Sequence, residues 1–185
     1  TRIHGVWILS LLSVVTCLQV KAQYMPVVFD KVYGDKNQIQ LVCPLPGDEV
    51  ALVGKEGQKY NLTWVEREGD VVFSLPLTGF TAVNEIVELD NSRVLVVGQS
   101  SVPNVKGKKD KITLCGRIVV INRGGRIVTD IYAGDQGSNF LKGMLLRSGA
   151  FVVSGSEPKG ADGRQGILLK LDPTGSVVYQ YKNAG

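Results

Sequence analysis

The chain has 185 residues, of which 44% are hydrophobic and 21% charged, with a formal net charge of +4. Residues 1–22 contribute two basic residues and no acid, so the remainder has 19 Lys and Arg against 17 Asp and Glu, a net charge of +2. This nearly neutral balance gives no argument for a nucleic-acid partner.

Residues 1–22 are predicted to be an export signal. Basic residues precede the apolar run VWILSLLSVVTCLQV, which ends near the small residue Ala22. The run is too short, and too closely followed by polar chain, for a membrane span. We expect cleavage after Ala22 and export to the periplasm, the outer surface or the extracellular space, with no transmembrane segment left in the mature protein. Lipidation at Cys17 is the alternative.

Beyond the signal, one pattern of four strands recurs three times. Apolar strands ending in glycine occur at 49–54, 93–98 and 150–155 (EVALVG, RVLVVG and AFVVSG). Each follows another apolar stretch across a short polar turn, and each precedes a hairpin whose turn contains one glycine. The preceding stretches are 38–45, 84–90 and 140–147, and the turn glycines are Gly69, Gly125 and Gly175. A period of about 50 residues with four strands per unit is typical of repeat folds.

The apolar pattern predicts an all-β protein of the β-propeller type, with four-stranded antiparallel blades at about 38–79, 80–134 and 135–185. RVLVV and RIVVI are apolar at consecutive positions, so both faces of these strands should be buried. The fourth strands, RIVTDIY and SVVYQYK, mix in polar residues and should be more exposed. A β-sandwich would more often alternate apolar and polar residues along each strand.

Three blades are fewer than the four to eight of ordinary propellers. The absence of an initiator Met and the end at Gly185 indicate an N-terminal piece of a longer product, so we expect missing downstream blades to be its partners. Residues 23–37, which include QYMPVVFDKVY, are either a leader or a strand that closes the ring.

The turn glycines Gly69, Gly125 and Gly175 are predicted to be structural, because such turns commonly need positive φ, and to have no direct part in binding.

The residue types give no catalytic, cofactor-binding or metal site. The single histidine, His4, lies in the predicted signal, so no Ser-His-Asp or Cys-His arrangement can form from residues 23–185. Cys43 and Cys115 are too few for a zinc site and are either bonded or separate thiols. The segments 134–139 and 160–166 place Asp beside Gly, which fits turns better than calcium loops.

Two features are candidates for binding. The loop at 99–115 contains four lysines that could meet an acidic glycan or another anionic partner, or could simply keep the loop soluble. Trp64 could stack on a sugar or pack between blades. The four lysines are Lys106, Lys108, Lys109 and Lys111.

The third unit carries a family resemblance. GILLKLDPTGSVVYQYKNAG, preceded by GAFVVSGSEPKGADGRQ, resembles repeats of exported bacterial β-propellers with a Lys-Leu-Asp-x-x-Gly hairpin, many of them in large surface proteins of the Bacteroidetes type. It is also similar to quinoprotein-like repeats, although Tyr179 or Tyr181 stands where those often have Trp. The resemblance implies a fold and an exported context, and no single activity.

These observations favour an exported, non-catalytic binding or scaffold module with a protein or glycan ligand. The alternative is a substrate-binding or regulatory propeller attached to a catalytic domain, such as a peptidase or glycan-degrading module, beyond Gly185. A quinone-dependent oxidoreductase is the third interpretation.

Overall fold

A computed structural model of the chain describes residues 38–90, 92–102, 113–160 and 163–183. The predicted signal at 1–22 and the segment 23–37 lie outside these ranges. The described residues form β-strands and turns, which confirms the all-β class. Within the same ranges there is no helix of the length and apolarity that a membrane crossing would require.

The strands form three four-stranded antiparallel sheets, each a meander of consecutive strands. The first sheet consists of β1 (Gln38–Leu45), β2 (Glu49–Glu56), β3 (Lys59–Val65) and β4 (Val71–Pro76). The second sheet consists of β5 (Phe80–Asp90), β6 (Arg93–Val102), β7 (Thr113–Asn122) and β8 (Ile127–Ala133). The third sheet consists of β9 (Asn139–Leu145), β10 (Phe151–Lys159), β11 (Gly163–Leu171) and β12 (Val177–Lys182).

The strands are longer than the sequence pattern predicted. β2, β6 and β10 continue past the glycines at which the sequence pattern predicts their ends. The loop predicted at 99–115 is correspondingly shorter, because Gln99 pairs with Gly116 and the pairing continues to Val102 and Thr113. β5 begins at Phe80, four residues before the apolar run, and register shifts along its pairing with β6 interrupt the alternation that would have indicated a strand.

The sheets pack face to face in chain order, with the second sheet in the middle. One apolar core lies between the first and second sheets and another between the second and third. Alternate residues of β6 enter the two cores: Val94 and Val96 face the first sheet, and Leu95 and Val97 face the third. The prediction that this strand is buried on both faces is therefore confirmed. The outer strands β4, β8 and β12 are largely exposed, also as expected.

Two of the three glycines that mark the repeat are required by close backbone contacts. A Cβ on Gly98 would overlap the carbonyl oxygen of Ala82, and one on Gly155 would overlap that of Asn139. These carbonyls belong to the first strand of the same sheet, close to a register shift. Glycine recurs there because the neighbouring strand approaches too closely for a side chain.

Candidate binding surface at the connecting end

The turns and connections lie at two opposite ends of the sheets. The hairpin end carries the turns at 46–48, 66–70, 123–126 and 172–176. The connecting end carries the turn at 57–58 and the links between successive sheets, at 77–79 and 134–138. β6 ends and β7 begins at the connecting end, so the segment with Lys106, Lys108, Lys109 and Lys111 is attached there. These lysines lie outside the described residues, and their part in binding stays a prediction.

A cavity of about 360 Å³ opens at the connecting end of the first sheet. Its floor includes Tyr60 and Phe80, each 5% exposed, and the more exposed residues around them are mostly polar. The half-buried Asn61, with its side-chain amide, and the exposed Lys59, with its ammonium group, also line the cavity. The full lining is Gln58, Lys59, Tyr60, Asn61, Pro76, Leu77, Thr78, Gly79 and Phe80. An apolar floor with amide and ammonium groups around it can hold a small part of a larger ligand.

A buried arginine fixes one wall of this cavity. Arg117 donates to both carboxylate oxygens of Asp130 at 2.8 Å, and its Nη1 donates to the carbonyl of Thr78 at 2.6 Å. Its guanidinium carbon lies 4.8 Å from the Phe80 ring centre and 5.0 Å from that of Tyr132. Burial alone would lower the pKa of Arg117, but the bonds to Asp130 raise it, so the group stays charged. Arg117 thus holds the link at 77–79 in place.

The second link, at 134–138, is held by a buried carboxylate. Glu157 has no exposed surface, and its oxygens accept from the Asp135 N–H at 3.2 Å and from the Gln165 amide at 2.8 Å. Lys182 lies 2.7 Å from Glu157 and 3.0 Å from the Asp135 carboxylate. Hydrogen bonds to the carboxylates of Glu157 and Asp135 raise the pKa of Lys182, and the bond to Glu157 has the larger effect. The buried acid near the end of β10 is therefore satisfied by partners from the link at 134–138, β11 and β12.

The segments weighed as calcium loops are only partly covered by the structure. In 134–139, the Asp135 carboxylate pairs with Lys182 and is engaged within the protein. Residues 161 and 162 of the other segment lie outside the described ranges. Across the described part of the chain, the structure contains no cluster of three or more His, Cys, Asp or Glu side chains suited to a metal ion.

Trp64 packs between sheets and does not form a sugar-stacking platform. Its side chain is completely buried in the core between the first and second sheets, with its ring centre 5.9 Å from that of Phe73. Its indole N–H donates to Glu49 at 2.6 Å, and Arg123 of the second sheet donates to the same carboxylate. The packing interpretation of this tryptophan is confirmed.

Cys43 and Cys115 are separate thiols. Cys43 lies in the first sheet and Cys115 in the second, and both are buried and unbonded. Burial raises the pKa of each thiol, with smaller effects from Glu88 on Cys43 and from Arg117 on Cys115. The sequence left open whether Cys43 and Cys115 form a disulfide bond, and in the structure they do not.

The three turn glycines lie at the hairpin end, away from the cavity. Gly69, Gly125 and Gly175 have φ values of 82°, 74° and 92°, a region that side chains disfavour. Gly125 also packs on Phe73 of the preceding sheet. The sequence pattern gave no indication that Gly125 contacts Phe73 of the neighbouring sheet.

Sequence reasoning missed the polar residues that build the connecting end, notably Arg117, Glu157 and Lys182. For Arg117 the available signal was a charge inside an otherwise apolar strand, CGRIVVI. Such a charge indicates a buried ion pair, but its partner comes from another strand or sheet and has no fixed spacing in sequence.

Neither the models of known protein families nor the curated proteins include a match to this chain.

Proposed function

We propose that this chain is an exported, non-catalytic binding or scaffold module of the β-propeller type, and that a protein or glycan ligand docks on its connecting end. Three consecutive four-stranded sheets stacked face to face support the propeller arrangement. The observation that carries the binding role is the cavity between the turn at 57–58 and the link at 77–79.

The construction of the connecting end supports this choice of surface. Arg117 holds the link at 77–79, which forms one wall of the cavity, with charge-assisted hydrogen bonds, and Glu157 holds the link at 134–138 in the same way. The strands that flank the lysine-rich segment, β6 and β7, end and begin at the same end of the sheets. The hairpin end, in contrast, consists mainly of tight turns.

The test is binding of the purified chain to a glycan array and a peptide library, followed by affinity measurement for the strongest ligand. Asn61→Ala and Lys59→Ala should each weaken binding by about tenfold or more, as expected when a polar contact in a binding site is removed. Arg67→Ala is the matched control, because Arg67 is exposed in a turn at the hairpin end. Equal affinity for wild type and both cavity variants, or loss only with Arg67→Ala, contradicts the proposed site.

The export part of the proposal has its own test. Mass spectrometry of the exported protein should find Gln23 as the first residue, because the apolar run and the small residue Ala22 precede it. A first residue at a lipidated Cys17, or retention of residues 1–22, contradicts the predicted cleavage.

A further inference from the structure

Two apolar residues of the first sheet are buried on the face that points away from the second sheet. Leu52 of β2 is 9% exposed and Val65 of β3 is 1% exposed. Their chain neighbours Ala51, Val53 and Trp64 lie in the core shared with the second sheet, and side chains alternate between the two faces of a strand, so Leu52 and Val65 point outwards. Among the described residues, neither of them belongs to an inter-sheet core. Their burial therefore needs a cover that the three sheets do not supply.

The strand registers show that these two positions make the contacts between sheets elsewhere in the stack. In the second sheet the equivalent residues are Val96 and Ile121, and both are buried against the first sheet. In the third sheet the equivalents are Val153 and Leu171, and both are buried against the second sheet. The first sheet is thus buried at the positions that the other two sheets use against a preceding sheet.

The cover of the first sheet is narrower than another sheet would be. Val42 of β1 is 58% exposed, although its equivalent in the second sheet, Ile86, is buried in the first core. Ile39 is also exposed, and its equivalent Val83 is buried in the same core. Gly69, in the turn after β3, is buried. The cover therefore lies over β2, β3 and their hairpin end and leaves β1 open, as a single segment would and a four-stranded sheet would not.

The outer face of the third sheet shows how an uncovered face differs. Val152 and Leu168 lie in the two middle strands and point away from the second sheet, since their neighbours Val153 and Leu169 lie in the second core. Both are only half-buried, and Tyr179 of β12 is 49% exposed. A middle strand alone therefore does not bury an outward side chain as completely as Leu52 and Val65 are buried.

Residues 23–37 are the part of the chain that fits this face. They directly precede β1 and contain the apolar run YMPVVF. Fully extended, a segment of this length spans about 50 Å, whereas β2, with 8 residues, is about 27 Å long. The segment can therefore cross the sheet from Gln38 to the hairpin end, where Gly69 lies. The lysine-rich segment between β6 and β7 is mainly polar and is attached to the second sheet at the opposite end.

We propose that residues 23–37 cross the outer face of the first sheet as a cap over Leu52 and Val65. Stacked repeats need such a terminal cover, because the outward face of the first unit has no neighbouring unit to bury it. The cap blocks docking of another sheet on this side and leaves the outer face of the third sheet as the side on which the stack can extend. It also assigns residues 23–37 to the first sheet, whereas ring closure would place them on the third. The proposal does not depend on ligand binding at the connecting end.

Photo-cross-linking in the full chain tests the position of the cap. Thr63 pairs with Leu52, points outwards and is half-buried, so benzoylphenylalanine in its place would contact the segment that covers Leu52. After irradiation and digestion, mass spectrometry should find position 63 linked to a peptide from 23–37. The matched control is Val152→benzoylphenylalanine on the outer face of the third sheet, which should give no link to that peptide.

The other outcomes of this experiment overturn the proposal. They are a link from position 63 to residues 1–22, to the lysine-rich segment or to a second molecule, and the absence of any link. A link from position 152 to 23–37 would show that the segment lies on the third sheet, as ring closure requires.

Cysteine accessibility gives an independent measurement in the same chain. Val65→Cys should react with iodoacetamide at least about tenfold more slowly than Val72→Cys, because Val72 is 41% exposed. Replacing both Val28 and Phe29 with aspartate places a charge on the covered side whichever way the segment faces, because adjacent residues of a strand point to opposite sides. This pair should raise the rate at Val65→Cys by about tenfold or more and leave the rate at Val72→Cys unchanged. An unchanged rate at Val65→Cys, with circular dichroism showing a folded chain, overturns the proposal.

Discussion

Gly175 lies against Thr129 so closely that a Cβ built on the glycine would be 2.6 Å from both Cγ2 and Oγ1 of that side chain. Gly175 belongs to the last hairpin turn of the third sheet and Thr129 to the outer strand of the second sheet. The glycine therefore has two reasons for its identity, the positive φ of 92° and the contact between sheets.

Replacing Gly175 with alanine should lower the free energy of unfolding by more than the cost of positive φ alone, which is about 1–2 kcal/mol. The additional cost comes from pushing the hairpin away from Thr129. Thermal and urea unfolding followed by circular dichroism would measure it.

Gly57→Ala is the matched control for this substitution. Gly57 has φ of 59°, and nothing lies within 4 Å of its added Cβ, so this variant has the backbone cost without the contact. If Gly57→Ala destabilises the protein as much as Gly175→Ala does, the contact between sheets contributes nothing.

Arg117→Lys should destabilise the protein by about 1–3 kcal/mol, although it keeps the charge. A lysine cannot bond both Asp130 oxygens and the Thr78 carbonyl in the planar geometry of the guanidinium, so at least one of these part-buried hydrogen bonds is lost. The melting temperature of the variant should fall by several degrees. An unchanged melting temperature would show that the three bonds can be replaced by one ammonium group.

Asp172→Asn should lower the stability of the protein near neutral pH and leave its stability in acid almost unchanged. Hydrogen bonds from the Thr174 hydroxyl and the Ser176 N–H hold the pKa of Asp172 below its ordinary value of 3.8, and the bond from Thr174 has the larger effect. A lowered pKa stabilises the fold above that ordinary value, and the contribution is lost as pH falls through the folded pKa. Unfolding in urea over a pH series should show a smaller loss on acidification in the variant.

Asn122 supplies the matched control, because its Oδ1 accepts from the N–H groups of Gly124 and Arg126 at the equivalent turn. Asn122→Asp should therefore add acid sensitivity where Asp172→Asn removes it. Identical pH profiles for the wild type and both variants would contradict this role of the turn carboxylate.

Cys43 and Cys115 should resist alkylation in the folded protein. Both thiols are buried and have raised pKa values, so little thiolate is present and access is poor. Mass spectrometry after iodoacetamide treatment should find both modified only when denaturant is present, and dithiothreitol should not change the melting temperature. Rapid modification of either one without denaturant would mean that its strand opens readily.

The sequence by itself determined the all-β class, the four-strand unit and its threefold recurrence, because consecutive apolar residues and turn glycines are local properties of the chain. RVLVV indicated burial on both faces, and Val94 to Val97 are indeed distributed between two cores. The turn glycines were also visible in sequence, since tight turns need positive φ wherever they occur.

Only the tertiary structure decided which residues meet across sheets. Three such contacts join residues of different strands or sheets, with loops of variable length between them in sequence. They are Arg117 with Thr78, Glu157 with Lys182, and Gly175 with Thr129. The cavity at Asn61 likewise forms from a turn and a link that have no common spacing. Such contacts depend on how the sheets stack, which local apolar periodicity does not encode.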